Sequence, residues 1–442
     1  MRWEIEPGII LSRDGASWIR EPEPDYVALP LYEGRMIGQF DFSQKGWVSG
    51  KGRGAVWIDL PWEAKRMEPQ YMMSHRKCSA HTVLGLKLPL MNISSATNAR
   101  TVIAAIARDF PCNHSLNPLR ASRPFDLLRL VTLLNSFAFD YGVRTRLGGL
   151  NLSFFVLDEV AAVRPGFLRH SSIDAYSASL SLFHRYFASE WTLVASLHPL
   201  SCLSRPWRSV WALTGHERLR MCSALDSIVA EIYGLSWDDM AWILHNCDHP
   251  TEVVQDKAFY RTLDPKGFWR VDKDKDPELR HTVLTLAAFH DLKETIKACA
   301  GDCENGIKAF CNQNKGEGWM LPETLCLADL GLGHDNRACK PQPVRSRLGE
   351  RFFPWQIEQS VEDSWKECAL HARNLMGEVG FARLQTVLHK AKQYGEVEEK
   401  APLAAETDTG MSHILGFQRS LFPRERAFSH DGTEDPPAAR KK

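Results

Sequence analysis

The sequence predicts an α+β protein: a mixed α/β domain, then a mainly α-helical domain, then a disordered C-terminal tail. Short apolar runs between Gly- and Pro-rich turns are typical of strands and continue up to about residue 163. Apolar residues recur at helical spacing from there to about residue 398. The remaining residues are polar and include prolines, which is typical of disorder. The predicted domains are therefore residues 1–163, 164–398 and 399–442.

The individual elements follow from the same patterns. Strands are predicted at AVWIDL, in HTVLGLKLPL and, as a buried strand, at LNLSFFVLDEV. The stretch PFDLLRLVTLLNSFAFDYGVRTRL predicts a helix that ends at Gly148 and Gly149, and NARTVIAAIARDFP fits a strand or a short helix. Ser236 is a predicted N-cap, because two aspartates follow it in the first turn. The helices predicted in the second half are SSIDAYSASLSLFHRYFASEWTLVASL, HERLRMCSALDSIVAEIYGL, SWDDMAWILHNC, DPELRHTVLTLAAFHDLKETIKACA, WQIEQSVEDSWKECALHARNLM and GFARLQTVLHKAKQYGEV.

The composition is that of a globular protein with sizeable hydrophobic cores. The chain has 442 residues, of which 44% are hydrophobic, enough for two or three domains. It has no apolar run long enough to span a membrane, and its start, MRWEIEPGII, lacks the features of a signal peptide. The 11 cysteines are odd in number and lack framework spacing, as is usual in a reducing compartment. We therefore expect a cytoplasmic protein without a membrane partner.

Charge is balanced over the whole chain but uneven along it. Lys plus Arg and Asp plus Glu both number 54. Basic residues collect in the first half, in SQKGWVSGKGRG, MMSHRK and YGVRTRLGG, whereas acidic residues collect later, in SWDDM and VEDSWKE. This distribution is compatible with a basic face for an anionic partner and, equally, with an ordinary solvated surface.

Four stretches imitate catalytic motifs and have simpler explanations. LADLGLGHD, residues 327–335, is a predicted turn, because the preceding MLPETLC is too polar and Pro-broken for the hydrophobic strand of a cofactor-binding loop, and prolines follow it. DLPWEAK, residues 59–65, is a predicted surface loop, since its carboxylates are too close in sequence for two adjacent strands. HNCDH, residues 245–249, has no Cys-x-x-Cys partner, which favours buried thiols and a capping histidine over zinc. EDPPA, residues 434–438, lacks the stacking aromatic of an adenine-methylation loop. We therefore expect no catalytic, cofactor-binding or metal-binding residues in this chain.

Five stretches occur in an order that carries a family resemblance: PLYEGRMIGQFDF, EPQYMM, SSATNARTVIAA, LLNSFAFDYGVRTRLGGLNLSFFVLDEV and ALDSIVAEIYGLSWDDMAWIL. Together they resemble the C-terminal half of large N6-adenine DNA methyltransferases, found as type IIG restriction–modification fusions and as BREX or DISARM phage-defence enzymes. The resemblance covers residues 18 to 248, and LDPKGFWRVDKDKDPELRHTVLTLAAFHDL extends it toward residue 375.

The resemblance implies a sequence-specific DNA recognition module. In that family this half carries the target recognition domain and a helical region, which would clamp the DNA or dock a partner. The family's Gly-rich loop for S-adenosylmethionine and its Asn-Pro-Pro-aromatic loop lie upstream, and this chain has neither. The expected partners are double-stranded DNA and a catalytic methyltransferase polypeptide, and the chain alone would be inactive. The alternatives are a specificity subunit for a nuclease or translocase, and a non-functional remnant of a split gene.

The first half supplies side chains suited to duplex DNA. Arginine suits guanine, Gln and Asn suit adenine, and cationic or hydroxyl groups contact phosphates. The candidate DNA contacts are Tyr32, Arg35, Gln39, Lys45, Lys51, Arg53, Arg76, Lys77, Asn98, Arg100, Arg144, Arg146 and Asn151.

The stretch LPLYEGRMIGQFDF holds the candidate base contacts. If residues 35 to 39 form one strand, Arg35 and Gln39 share a face, because side chains alternate with period two. The alternative is that Met36, Ile37 and Phe40 build a hairpin core and the polar residues are merely solvated.

The other candidates also have ordinary structural explanations. The cations of KGWVSGKGRG lie on a glycine-rich backbone that can approach phosphates closely, or in a mobile loop without function. Asn98 contacts a base or closes an Asx-turn. Arg144 and Arg146 contact phosphates or offset the dipole at a helix end. The Arg and Lys of MSHRK contact DNA or belong to a solvated charge run.

Overall fold

The structure is a computed structural model, and it describes residues 9–11, 18–20, 27–74, 86–108, 110–121, 124–163, 171–197 and 204–398. The predicted tail, residues 399–442, lies outside these ranges. Within the chain, contacts group Met1–Pro402 into one unit, to which all the described residues belong. The domain boundary expected at residue 163 stays a prediction.

The described strands form four small antiparallel sheets. Short strands are expected here because prolines and glycines interrupt the apolar runs. One sheet has four strands in the order β1-β2-β3-β6, and the pairs β4-β5, β7-β8 and β9-β10 form the others. The strands are β1 Ile9–Leu11, β2 Trp18–Arg20, β3 Val27–Pro30, β4 Lys45–Ser49, β5 Val56–Asp59, β6 Met72–Ser74, β7 Leu88–Met91, β8 Leu116–Leu119, β9 Thr324–Leu325 and β10 Gln342–Pro343.

Helices dominate after residue 124. The two longest unbroken ones in the described part, α6 and α10, pack against each other and have almost entirely buried inner faces. The helices are α1 Pro124–Asn135, α2 Phe137–Arg146, α3 Phe154–Asp158, α4 Ser171–Ser181, α5 Ala188–Leu197, α6 Gly215–Ile232, α7 Trp237–Ile243, α8 Thr251–Gln255, α9 Lys257–Tyr260, α10 His281–Ala298, α11 Cys303–Cys311, α12 Gln313–Gly316, α13 Arg345–Leu348 and α14 Val361–Glu398, which breaks at Gly377.

The opening stretch lies in a hydrophobic core of its own. This core, called the N-terminal core below, consists of Leu29, Tyr32, Met36, Ile37, Ala105, Ala107, Phe110 and Leu116. Trp57 of β5 packs against its edge. The apolar side chains of the stretch thus fix the position of the β4-β5 pair.

The predicted fold class is confirmed, because small sheets precede a mainly helical region. The N-cap at Ser236 is also confirmed, as part of a capping box with Asp239. None of the described helices combines the length and the apolar character needed to cross a membrane.

Several local predictions are wrong. The stretch SSIDAYSASLSLFHRYFASEWTLVASL, expected as one helix, is α4 and α5 with the 3₁₀ turn Arg185–Phe187 between them. The buried strand expected at LNLSFFVLDEV is the short helix α3, on which Phe155 is 75% exposed. The single helix expected at PFDLLRLVTLLNSFAFDYGVRTRL is two helices, because the Ser136 side chain caps the second by accepting from the Phe139 amide. The second helix ends at Leu147 in extended backbone, so Gly148 and Gly149 do not form a left-handed cap.

The stretch NARTVIAAIARDFP is neither a continuous strand nor a helix. Its described residues are mostly buried and pair through isolated bridges. Ala104 pairs with Leu90 of β7, and Ala107 pairs with Lys87, the residue just before β7. The backbone of this stretch therefore makes single bridges and does not form a continuous strand pairing.

Candidate nucleic-acid interface

Lys51 and Arg53 lie at the tip of the antiparallel ribbon formed by β4 and β5. The strands pair with Trp47 opposite Trp57, and a register shift after Trp47 puts a bulge just below the tip. Five residues of extended chain give the ribbon a length of about 17 Å. The ribbon therefore presents two cations at its end.

Glycine and two hydrogen bonds shape the tip. Gly50 has φ of 77°, and a Cβ there would lie 2.2 Å from the carbonyl oxygen of Gly54. Trp47 Nε1 and Gln70 Nε2 both donate to the Gly50 carbonyl, at 3.0 and 3.1 Å. Gly52 is also left-handed, with φ of 57°, but has open space around it. Only glycine fits at Gly50, so the backbone of the tip is tightly turned.

The charge of the ribbon is concentrated at the tip. Lys51 and Arg53 are exposed, and neither pairs with a carboxylate in the part of the chain that the structure describes. At the other end Lys45 is 38% exposed and lies 3.4 Å from Asp59, so these two charges compensate each other. The two tip cations remain available to an anionic ligand.

The two faces of the ribbon differ. Trp57 packs on the N-terminal core, and Trp47 lies opposite it on the same face. Side chains alternate along a strand, so Val56 and Ile58 point to the other face, where each is 49% exposed. The outer face of β5 is therefore apolar and open.

The strand considered for residues 35 to 39 does not form. Gly34–Met36 is a 3₁₀ turn, and Phe40 adopts a left-handed conformation with φ of 55°. Met36 and Ile37 are fully buried, which matches the alternative in which the apolar residues build a core.

Arg35 and Gln39 consequently do not share a strand face. Arg35 is exposed, whereas Gln39 Nε2 donates to the carbonyls of Val102 and Asn135, at 3.4 and 3.2 Å. Tyr32 is 1% exposed within the N-terminal core. Of these three candidates, Arg35 is exposed, Gln39 is half-buried with its amide bonded to backbone carbonyls, and Tyr32 is buried.

Arg144 lies in the interior, where it joins distant segments. It is 1% exposed and its Nε donates to Asp140 at 2.9 Å. Its two terminal nitrogens donate to four backbone carbonyls, in residues 98–99 and 266–267, at 2.7 to 3.1 Å. The guanidinium also lies over the Phe268 ring, 3.8 Å from the centroid. Every donor is occupied, so Arg144 is a structural cation in this arrangement.

Arg100 completes a buried charge cluster around the same carboxylate. Its Nε lies 3.3 Å from Asp140, and its guanidinium stacks 4.0 Å from the centre of the Phe137 ring. Asp140 also accepts from the Thr101 amide at 3.0 Å. One carboxylate thus holds two arginines and fixes the loop around residues 98–101 to α2.

Asn98, Arg146 and Asn151 are exposed. The structure brings Asn98 to the C-terminal end of α2, because its carbonyl accepts from Arg144. Arg146 lies at that same helix end and donates to the Gly142 carbonyl at 3.0 Å. Asn151 forms a bridge with Ile93. Asn98 and Arg146 thus lie at one helix end, and all three residues are separate in sequence from the ribbon.

Two candidates, Arg76 and Lys77, lie outside the described residues. The structure therefore leaves eight candidates wholly or partly solvent-accessible in the described part, and Lys45 is the one of them that pairs with a carboxylate. They are Arg35, Gln39, Lys45, Lys51, Arg53, Asn98, Arg146 and Asn151.

The stretch DLPWEAK is partly a surface loop, as expected, with Glu63 exposed in the 3₁₀ turn Trp62–Ala64. Lys65 instead points inward and donates to Asp41 at 2.6 Å and to the Ser43 carbonyl at 3.0 Å. Burial lowers the pKa of Lys65, and the Asp41 carboxylate partly opposes that shift. The lysine is therefore a partner of Asp41 in the core.

The stretches HNCDH and LADLGLGHD meet in space. Residues 327–335 form a 3₁₀ turn and a left-handed glycine, so the predicted turn is confirmed. His249 and His334 stack with ring centroids 3.6 Å apart. Asp248 accepts from His334 Nε2 at 3.1 Å and from the Gly333 amide at 2.5 Å. These contacts attach the turn to the helical region.

Three buried thiols of the described part are unreactive, and its side chains form no metal cluster. Burial raises the pKa of Cys222, Cys247 and Cys368 to about 12, so these thiols are protonated at neutral pH. Among the described side chains no group of three His, Cys, Asp or Glu residues is placed to hold a metal ion.

Val56 and Ile58 are surface features that the sequence predictions did not include. The strand pattern AVWID indicated their exposure, because side chains alternate along a strand and an inward Trp57 places Val56 and Ile58 on the outer face. The stacked histidines could not have been found in this way, since they are far apart in sequence.

Comparisons with known protein families, with curated proteins and with solved structures found no match to this chain.

Proposed function

We propose that this chain is the DNA recognition module of an N6-adenine DNA methyltransferase in a bacterial restriction–modification or phage-defence system. It works in the cytoplasm on double-stranded DNA, together with a catalytic polypeptide that binds S-adenosylmethionine. The ordered resemblance of the five stretches to the recognition half of that family supports the proposal.

The observation that carries the DNA-binding part is the cationic tip of the ribbon. Lys51 and Arg53 are exposed, have no carboxylate partner among the described residues and lie on a glycine-built turn. The glycines of this turn carry no side chains, so Lys51 and Arg53 can approach phosphate oxygens without steric obstruction. Phosphate neutralisation supplies most of the affinity of non-specific DNA binding.

The buried arginines have a different role in this proposal. Arg100 and Arg144 form the scaffold that holds the loop around residues 98–101 to α2. Asn98 and Arg146, which are exposed near that scaffold, are the secondary DNA contacts.

The proposal is tested by titrating the full chain onto a fluorescent mixed-sequence duplex at low salt. We expect an anisotropy change at low salt, with a dissociation constant that rises to the order of 1 to 100 μM at physiological salt, as for non-specific binding. The affinity should fall steeply as salt is added. Absence of binding at about 50 mM salt, with the chain folded by circular dichroism, would contradict the proposal.

A further inference from the structure

The outer face of β5 is an exposed apolar surface next to the cationic tip. Val56 and Ile58 are each 49% exposed, and they project from the ribbon on the face opposite Trp57. Two exposed apolar side chains side by side on one strand face form a surface that a ligand can cover. Their position beside Lys51 and Arg53 indicates which ligand that is.

The ribbon has dimensions suited to the major groove of DNA. Two antiparallel strands about 4.8 Å apart, with one face packed on the core and the other turned toward the bases, fit a groove about 12 Å wide. The ribbon extends for about 17 Å below its tip. It can therefore enter the groove while the tip cations reach the phosphates on its rim.

The charges around the outer face do not oppose DNA. Asp59 is neutralised by Lys45 at 3.4 Å. Glu68, which lies against Gly46 on β4, forms an ion pair with Arg66. These two carboxylates, on β5 and against β4, thus have a cation partner, while the tip cations have none among the described residues.

We propose that Val56 and Ile58 contact the C5-methyl groups of thymines in the major groove, so that the ribbon selects thymine at the positions it covers. This inference rests on the proposed DNA-binding function. The thymine methyl is the apolar group that the major groove presents, and an aliphatic side chain gains by removing it from water. Serine at the same positions would lose this contact while leaving the tip cations in place.

The test compares two forms of one duplex. The full chain is first used to enrich bound sequences from a random duplex pool, and an enriched duplex is then made with thymidine or with deoxyuridine, which lacks only the methyl group. The wild type should bind the thymidine form about fourfold more tightly for each methyl that is contacted. The double variant Val56→Ser, Ile58→Ser should bind both forms equally and keep the wild-type salt dependence.

A matched control uses the same substitutions elsewhere. Val379 is 69% exposed and Ile357 is 57% exposed, and both lie far along the chain from the ribbon. The variant Val379→Ser, Ile357→Ser should discriminate between thymidine and deoxyuridine like the wild type. The conservative exchange Val56→Ile, Ile58→Val should also retain discrimination, which separates the methyl contact from any effect on folding.

The outcomes distinguish this inference from the proposed function. Equal binding of both duplexes by the wild type, with strong salt dependence, would overturn the thymine contact and leave DNA binding in place. Discrimination that persists in the serine variant would also overturn it. Failure of the wild type to bind either duplex at low salt would overturn both.

Discussion

The salt dependence of DNA binding gives the most quantitative test of the ribbon tip. Each phosphate contact that releases a counterion contributes about 0.9 to the slope of log K against log salt concentration. If Lys51 and Arg53 each neutralise one phosphate, the variant Lys51→Ala, Arg53→Ala should have a slope shallower by about 1.8. Between about 50 and about 200 mM salt, the wild type should then lose about 12-fold more affinity than the variant.

The measurement is a series of anisotropy titrations at four or more salt concentrations, with circular dichroism as a check of folding. Because both side chains are exposed and unpaired in the described structure, their removal should leave the unfolding free energy unchanged within about 0.5 kcal/mol. The control is Lys257→Ala, Arg261→Ala, which removes the same charges from another exposed surface. Equal slopes for the wild type and the tip variant, or an equal change in the control, would refute a specific role for the tip.

Three further predictions concern the framework. Asp140→Asn should lower the unfolding free energy by about 3–5 kcal/mol in urea titrations, since it leaves two buried arginines without their carboxylate; a loss under 1 kcal/mol would contradict that role. Gly50→Ala should lower the DNA affinity in anisotropy titrations about as much as removing the two tip cations, because its Cβ meets the Gly54 carbonyl and displaces the tip. Gly52→Ala, in open space, should leave the DNA affinity nearly unchanged and lower the unfolding free energy by only about 1–2 kcal/mol; equal effects of the two variants on DNA affinity would argue against a fixed tip. Burial lowers the pKa of His184 to about 3, so its contribution to stability is complete above pH 6.5 and is lost as pH falls toward 3. The unfolding free energy measured in urea titrations should fall between pH 7 and pH 5, and His184→Asn should reduce this fall by about 2 kcal/mol. An unchanged pH dependence would contradict the buried neutral ring.

The sequence predicted the fold class because that class depends on local patterns. Helical spacing and capping residues such as Ser236 act within a few turns of chain and leave a direct trace in the sequence. The helix at residues 154–158 was mistaken for a buried strand because short apolar runs do not distinguish the two, and Phe155 faces solvent instead of a core.

The candidate site was predicted only in part, for a physical reason. Sequence identifies which residues are cationic, but whether a cation faces solvent depends on partners brought in by the fold. Arg144 and Lys51 both lie near glycines in the sequence, yet one is surrounded by a carboxylate and four carbonyls and the other is free. Conversely, Val56 and Ile58 would be expected in a core, and their exposure follows from a single contact, that of Trp57 with the N-terminal core.

Under the proposed DNA-recognition function, the position of Arg144 bears on how this chain could change its target during evolution. Half of its carbonyl partners belong to residues 98–99 and half to residues 266–267, on either side of the boundary expected at residue 163. A recombination event that replaced one side alone would leave a guanidinium in the interior with part of its partners missing. New specificity would therefore arise more readily by exchanging the few residues of the ribbon than by shuffling whole segments between related genes.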